Sequence, residues 1–316
     1  FDKKLKGDKV GIGIEIAKKN DKIVVMTALF GGPAYKAGIR SGDTIIQIDN
    51  MAVTYKNFAK IDDALSGLPN TFVTVYIEDT NKEIKMYRLK RTSFNVSSVS
   101  QKTLKNKYVH IRISQFQKKT PSEVKRVLKK KVNKNIQGLI IDLRDNPGGL
   151  LEAAIKTTDL FLSKGLIVSI EGRSGKITEK YSAKPPIIID LKTPVVVIIN
   201  EGTASAAEIM AGALRDNQRV LVVGRNSFGK GSIQSIFSLP NKTAAKLTTS
   251  FYILPSGNKI RRGGIQPDLL IEPMTLPLNG YSTESKLNSN KEDEKYNRDR
   301  TLFQAIKALE VMNIVK

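Results

Sequence analysis

The sequence predicts an α/β protein led by a small β-rich module, and three observations carry that prediction. From about residue 104, short apolar runs alternate with stretches of helical periodicity, as parallel sheets covered by helices require. Before that point, strand-like segments follow one another between Gly and Pro turns with a single longer helical stripe. The chain has 316 residues, enough for two domains or one large domain with a satellite, and 40% of them are hydrophobic. No run approaches the length of apolar sequence that a transmembrane helix needs.

In the leading module, residues 10–16 and 22–26 are strand-like. Pro33 opens a short helix that stops at Gly38, with proline in the first turn and glycine just past the last. Gly42-Asp43 is a turn and 44–49 another strand. A helix from about Lys56 places Phe58, Ile61 and Leu65 on one stripe and ends at Gly67 and Pro69. Residues 72–77 and 84–89 close the module as a strand pair. Gly11-Ile-Gly-Ile-Glu15, Pro33-Ala-Tyr-Lys-Ala-Gly-Ile39 and Ser41-Gly-Asp-Thr-Ile-Ile-Gln-Ile-Asp49 resemble a PDZ domain of the bacterial protease type. The physics agrees: Gly11 and Gly13 let backbone N–H groups converge into a nest for a carboxylate. The strand behind them can accept a peptide as an added strand, with the helix near 56–66 as the other wall. Gly11, Ile12, Gly13 and Ile14 are therefore the expected peptide-binding positions.

The α/β part begins with a strand at 108–113. Thr120-Pro-Ser-Glu123 reads as a capping box with proline at the first helical position, followed by Val124, Val127, Leu128 and Val132 at helical spacing. Residues 138–143 are almost continuously apolar, the mark of a strand buried on both faces. After a Gly-Gly turn come a helix at about 150–163, strands at 166–170 and 195–200, a helix from about 204 and a strand at 219–224. A polar surface excursion over 275–297 precedes a last amphipathic helix carrying Leu302, Ile306, Leu309 and Met312. There are no internal repeats.

The chemistry starts from a scarcity. The chain has one histidine, His110, and no cysteine, so a nucleophile activated by histidine would depend on that one residue. Disulfides and thiolate metal sites are excluded, and no metal or other cofactor is implied. Ser205, in Asn200-Glu-Gly-Thr-Ala-Ser205-Ala-Ala-Glu208, follows a buried-looking strand and opens a helix among small neighbours. The N–H of Ala206 at that helix start suits an oxyanion. Taken alone, Ser205-Ala-Ala-Glu208 is also an ordinary capping box. Lys230, in Ser227-Phe-Gly-Lys230-Gly-Ser-Ile-Gln234, changes that balance. An ordinary lysine titrates near about 10.4, so only about four in ten thousand are neutral at pH 7. As a base it must be desolvated or set beside another cation. Glycines on both sides permit close packing, and alternation after them would put Lys230, Ser232 and Gln234 on one side of a strand, where Gln234 can orient the amine.

This combination resembles the carboxyl-terminal processing (tail-specific) proteases, PDZ-containing serine endopeptidases with a Ser-Lys dyad. The resemblance covers about residues 5 to 272 and maps the nucleophile onto Ser205, the base onto Lys230 and the supporting glutamine onto Gln234. Asp142-Leu-Arg-Asp-Asn-Pro-Gly-Gly149 resembles the family's third motif, whose glycine supplies a second oxyanion donor: Gly148 first, Gly149 second. Arg261-Arg-Gly-Gly-Ile-Gln-Pro-Asp268 resembles a later family signature. The implied fold is a crotonase-like (ClpP/crotonase) α/β protease core at 92–274, a PDZ domain at 1–91, the excursion at 275–297 and a core helix at 298–316. The implied partners are protein substrates with free C-terminal tails, an adaptor or membrane surface, and a second copy in a homo-oligomer. The implied location is extracytoplasmic, periplasmic or membrane-associated. The chain opens on Phe1 with no initiator methionine, which reads as a mature or trimmed chain without its targeting segment.

Rival readings are weaker. A net charge of +22 invites nucleic acid, but aromatics are 6%, tryptophan is absent and no basic run interleaves with aromatics. An anionic membrane surface or acidic substrate suits the charge better. Gly224-Arg-Asn-Ser-Phe-Gly229-Lys230 imitates a P-loop, yet Gly231 stands where a magnesium-binding Ser or Thr is needed. A trypsin-like site lacks its nucleophile loop, and His110 reads as a strand residue. The remaining alternative is a catalytically inert peptide-binding scaffold, against which the intact Ser205, Lys230, Gln234 and Gly148-Gly149 set argues.

Overall fold

A computed structural model of the chain describes residues 8–19, 21–54, 57–95, 98–105, 107–132, 136–239, 243–272 and 299–315. The expected polar excursion at 275–297 and the helix start at Lys56 lie outside the described residues.

Strand β1 (Asp8–Gly11) pairs antiparallel with β8 (Thr92–Asn95), joining the two ends of the leading module. Between them run β2 (Ile14–Lys19), β3 (Lys22–Ala28), β4 (Thr44–Ile48), β5 (Met51–Ala52), β6 (Phe72–Glu78) and β7 (Ile84–Lys90). They form a sheet of order β2-β3-β4-β6-β7 with β5 on β4, so β2 is an edge. The expected strand at 10–16 is two strands, because Gly13 takes φ 77° and turns the chain between them. Helix α1 (Pro33–Ala37) ends on Gly38 at φ 97°, and α2 (Phe58–Leu65) covers the sheet. Alternation in β6 turns Val73, Val75 and Ile77 inward to meet Ile23, Ile45 and Ile61 in a core of the module's own.

The second sheet comprises β9 (Val99–Leu104), β10 (Tyr108–Ile113), β11 (Gly138–Asp142), β14 (Val195–Ile199), β15 (Leu221–Gly224) and β18 (Leu269–Leu270). Its order is β18-β15-β14-β11-β10-β9, parallel from β10 to β18, with β9 antiparallel at the other edge. All residues of β11 and β14 are buried, as their apolar runs require. On one face Leu139, Ile141, Val197 and Ile199 meet α3 (Thr120–Val132), α4 (Leu151–Asp159) and α5 (Ala206–Asp216). On the other, Ile140, Val196 and Ile198 meet Leu302, Ile306 and Leu309 of α6 (Arg300–Ile314).

A third sheet, of order β13-β12-β17-β16, holds β12 (Leu166–Gly172), β13 (Ile177–Ser182), β16 (Ser232–Leu239) and β17 (Thr243–Ile253). Two of these strands escape the pattern reading. Strand β13 is largely exposed, so it lacks the apolar alternation that marks a half-buried strand, and β17 is rich in Thr, Ala and Ser. The expected capping box at Thr120 is also replaced. Thr120 Oγ1 accepts the Gln117 N–H at 2.8 Å, while the Glu123 carboxylate accepts the Ser98 hydroxyl at 2.8 Å, fastening α3 to the start of β9.

Candidate active site at the start of helix α5

Ser205 lies between β14 and α5 with φ 57° and ψ −120°, a backbone state that costs a residue with a side chain about 1–3 kcal/mol. Its surroundings over-determine that state. Thr203 Oγ1 donates to Leu143 O at 2.8 Å and accepts the Asn200 N–H at 3.0 Å. The Ala204 N–H donates to Asn146 O at 2.9 Å, and the Ser205 N–H donates to Glu208 Oε2 at 2.7 Å. Strain held in place at a half-buried turn between strand and helix is a mark of a functional residue.

Glu208 is the residue on which the site converges, and its reach escapes the sequence reading. It is fully buried on α5, one turn below Ser205. Besides the Ser205 N–H, its carboxylate accepts the Gly229 N–H at 2.7 Å, the Lys230 N–H at 2.8 Å and the Ser227 hydroxyl at 2.5 Å. Burial pushes its pKa above the ordinary 4.5, against the pull of these hydrogen bonds. Because Ser205 and Lys230 both donate to Oε2, two segments 25 residues apart in sequence are neighbours here. The only sequence signal was an acid three residues after Ser205, which a local cap explains equally well.

The segment around Lys230 is pressed against the chain at 260–261. A Cβ on Gly229 would lie 2.1 Å from Arg261 O, and one on Gly231 would lie 2.1 Å from Ile260 O, so neither glycine is replaceable without moving backbone. Lys230 is exposed, in a segment that leads into β16, the edge of its sheet. Gln234 is exposed as well. A register shift between Ile233 and Gln234 interrupts the alternation expected to align Lys230, Ser232 and Gln234.

The two adjacent glycines of the third motif separate by what they touch. A Cβ on Gly148 would lie 2.9 Å from Ala204 O, Ala206 N and Ser205 Cβ, whereas one on Gly149 would strike Phe116 O at 2.2 Å. Gly148 therefore abuts the serine and the Ala206 amide, and Gly149 bridges to Phe116. The Gly148 N–H donates to Asn146 Oδ1 at 2.9 Å, and Asn146 Nδ2 donates to Ile113 O at 2.8 Å.

Behind this loop, Asp142 is fully buried at the end of β11. It meets His110 Nε2 at 3.1 Å, Arg112 Nη1 at 3.3 Å and Arg144 Nη2 at 2.7 Å. Arg144 also grips Asp299 ahead of α6 through two bonds of 2.8 Å. Burial opposes the Asp142 charge, but attraction from Arg144 and Arg112 and the His110 bond hold its pKa well below 3.8. His110 thus belongs to a network under the sheet, on β10.

In the leading module, Ile12 is buried in the core and its carbonyl accepts the Ala34 N–H at 2.9 Å. The Gly13 carbonyl accepts the Leu29 N–H at 2.8 Å, Gly11 bridges to Ser66, and Ile14 opens the edge strand β2. From β2, Lys18 Nζ reaches to 5.0 Å from the centre of the Phe58 ring on α2.

The sequence profile of peptidase family S41 matches residues 107–271, a stretch that holds Ser205, Glu208 and Lys230. The chain belongs to peptidase family S41. A PDZ domain profile matches residues 24–78, so this S41 chain is a serine-type peptidase carrying a PDZ module. It is 37% identical over 297 residues to a carboxy-terminal-processing protease of Bartonella bacilliformis, covering 90% of this chain and 67% of that protein. It is 35% identical over 273 residues to a Staphylococcus aureus protein named "Probable CtpA-like serine protease", covering 86% of this chain and 54% of that protein. The solved structure of a photosystem II D1 C-terminal processing protease, another such enzyme, matches with a TM-score of 0.79 at 31% identity. That match covers 86% of this chain and 74% of the other.

Proposed function

We propose that this S41 peptidase is an endopeptidase that captures free C-terminal tails of protein substrates and cleaves them through an acyl-enzyme. The observation that carries the reading is the shared Glu208 oxygen, which sets the backbones of Ser205 and Lys230 side by side. Ser205 attacks the peptide carbonyl while neutral Lys230 takes its proton, and Gln234 orients the amine. Lys230 returns the proton to the leaving amine, and water then hydrolyses the ester. The oxyanion is held by the N–H groups of Ala206 and Gly148, with Gly149 as the second choice. Because the Gly148 N–H is donated to Asn146, that hole forms only when substrate displaces the Asn146 amide oxygen. An exposed Lys230 fits the same resting state, in which closure over substrate completes the site.

In this reading residues 1–91 form the PDZ domain and 92–274, with the helix at 298–316, a core of the crotonase-like type. Tails add to β2 as an extra strand, with their carboxylate at Gly11, Ile12, Gly13 and Ile14. An extracytoplasmic location, an adaptor and a homo-oligomer belong to the same proposal.

The test is cleavage of an unstructured protein with an apolar C-terminal tail. Wild type should cut, and Ser205→Ala, Lys230→Ala and Lys230→Arg should each fall by about a thousandfold or more while remaining folded. The arginine variant is decisive, since a guanidinium keeps the positive charge but cannot act as a base. Substantial activity in Lys230→Arg would overturn the dyad.

A further inference from the structure

Helix α3 carries Lys118 and Lys119 just before it and Lys125, Arg126, Lys129 and Lys130 along it. At helical spacing, 125, 126, 129 and 130 share one face, opposite the buried Val124 and Leu128. Glu123, the single acid of that helix, is turned inward onto Ser98. A basic helix face is ordinarily just solvated, and here a second feature adjoins it. The strap at 184–188 is tied to the end of α4, the Lys184 N–H donating to Asp159 Oδ1 at 2.7 Å. Between strap and α3 lies a groove of about 650 Å³ whose half-buried floor is Leu160, Ile187 and Ile188 and whose rim is Lys125, Lys129 and Lys184, three cations against the single acid Asp159.

We propose that this face docks onto an anionic phospholipid membrane. The cationic rim suits lipid phosphates, and the apolar floor suits the glycerol and upper acyl region beneath them. A nucleic acid would leave that floor unused and finds no aromatic ring on the face to stack upon. No helix among the described residues is long and apolar enough to cross a membrane. The stripe starts at Lys118, two residues after Phe116, which accepts the Leu150 N–H and donates its own to Gly148 O. The inference stands independently of the protease reading.

The experiment is flotation of the full chain with phosphatidylcholine vesicles, with and without phosphatidylglycerol, at low and high salt. The probe variant is Lys125→Gln/Arg126→Gln/Lys129→Gln/Lys130→Gln. The control is Lys36→Gln/Lys164→Gln/Lys176→Gln/Lys180→Gln, which removes the same charge elsewhere. At about 1 kcal/mol per cation near an anionic surface, the probe variant should lose about a thousandfold in partitioning. The control should lose about tenfold or less, and Ile187→Ser should weaken binding without changing its salt dependence. Equal loss in both charge variants would reduce the effect to net charge and overturn the proposal. So would wild type that ignores phosphatidylglycerol, wild type that binds single-stranded DNA but not vesicles, or an Ile187→Ser variant that binds unchanged.

Discussion

Ser205 and Lys230 donate to one carboxylate oxygen, so residue 208 decides whether the strained serine and the lysine segment stay together. Glu208→Gln keeps the shape but turns one acceptor into an NH2 group facing N–H donors. Each lost bond to a buried charge is worth about 1.5–3 kcal/mol, and a misplacement of about 1 Å can cost about a hundredfold in rate. The expected outcome is a folded enzyme with a lower Tm, kcat reduced by about a hundredfold and KM little changed, measured on a protein substrate. A variant with wild-type kcat would show that the carboxylate only caps α5. At this scale the sequence singled out Ser205 and Lys230, because flanking glycines and small residues mark places of close approach. It could not reveal the span of Glu208 from α5 to 227–230, which is a tertiary contact. Nor could it separate Gly148 from Gly149, whose different neighbours come from opposite sides of the loop. For the same reason, Gly148→Ala should abolish turnover, since φ 101° and three atoms at 2.9 Å leave a methyl nowhere to go. Near-normal activity in that variant would remove Gly148 from the site.

Among elements, the parallel strands were the most legible, because burial on both faces writes an unbroken apolar run. What the run hides is the polar knot at its end, where Asp142 joins His110, Arg112 and Arg144, and Arg144 joins α6 through Asp299. Strand β13 and the bulge in β16 stayed hidden for the opposite reason, since exposed strands and register shifts leave no apolar period. The knot makes a pH prediction whose sign follows from the depressed pKa values of Asp142 and Asp299. A carboxylate with a folded pKa below its unfolded one contributes stability above the unfolded value, lost as pH falls through the folded value. The Tm gap between wild type and Asp142→Asn should therefore persist from neutral pH down to the ordinary value of 3.8 and close only below it. At neutral pH the variant should be less stable by about 3–5 kcal/mol, because it leaves Arg112 and Arg144 facing an uncharged partner. A gap that closes well above that value would mean that Asp142 titrates normally.

For the whole molecule, the contact between the leading module and the protease core falls on the loop that carries Gly148. Thr27 Oγ1 at the end of β3 donates to Asp145 O at 2.9 Å, and Gly202 is pressed against both residues. Arg112 stacks 4.2 Å from the centre of the Phe30 ring while bonding Asp145 Oδ2 at 3.1 Å and Arg144 O at 2.9 Å. Asp145 itself sits at φ 58°, its N–H held by Asn200 Oδ1 at 2.9 Å, and the next residue is the Asn146 whose amide holds the Gly148 N–H. On the proposed reading, a shift of the module on tail binding would act on Asp145 first and reach Gly148 three residues later. Removing the stacking contact by Phe30→Ala, or the hydrogen bond by Thr27→Val, should spare tail affinity, because neither residue lies on β2 or α2. It should instead change the ratio of turnover on tailed proteins to turnover on short untailed peptides by about tenfold, the size of an ordinary coupling energy. Tail binding is read by peptide titration and turnover on both substrates by initial rates. Should both turnovers shift in parallel, the contact serves stability alone and the module delivers substrate without adjusting the site.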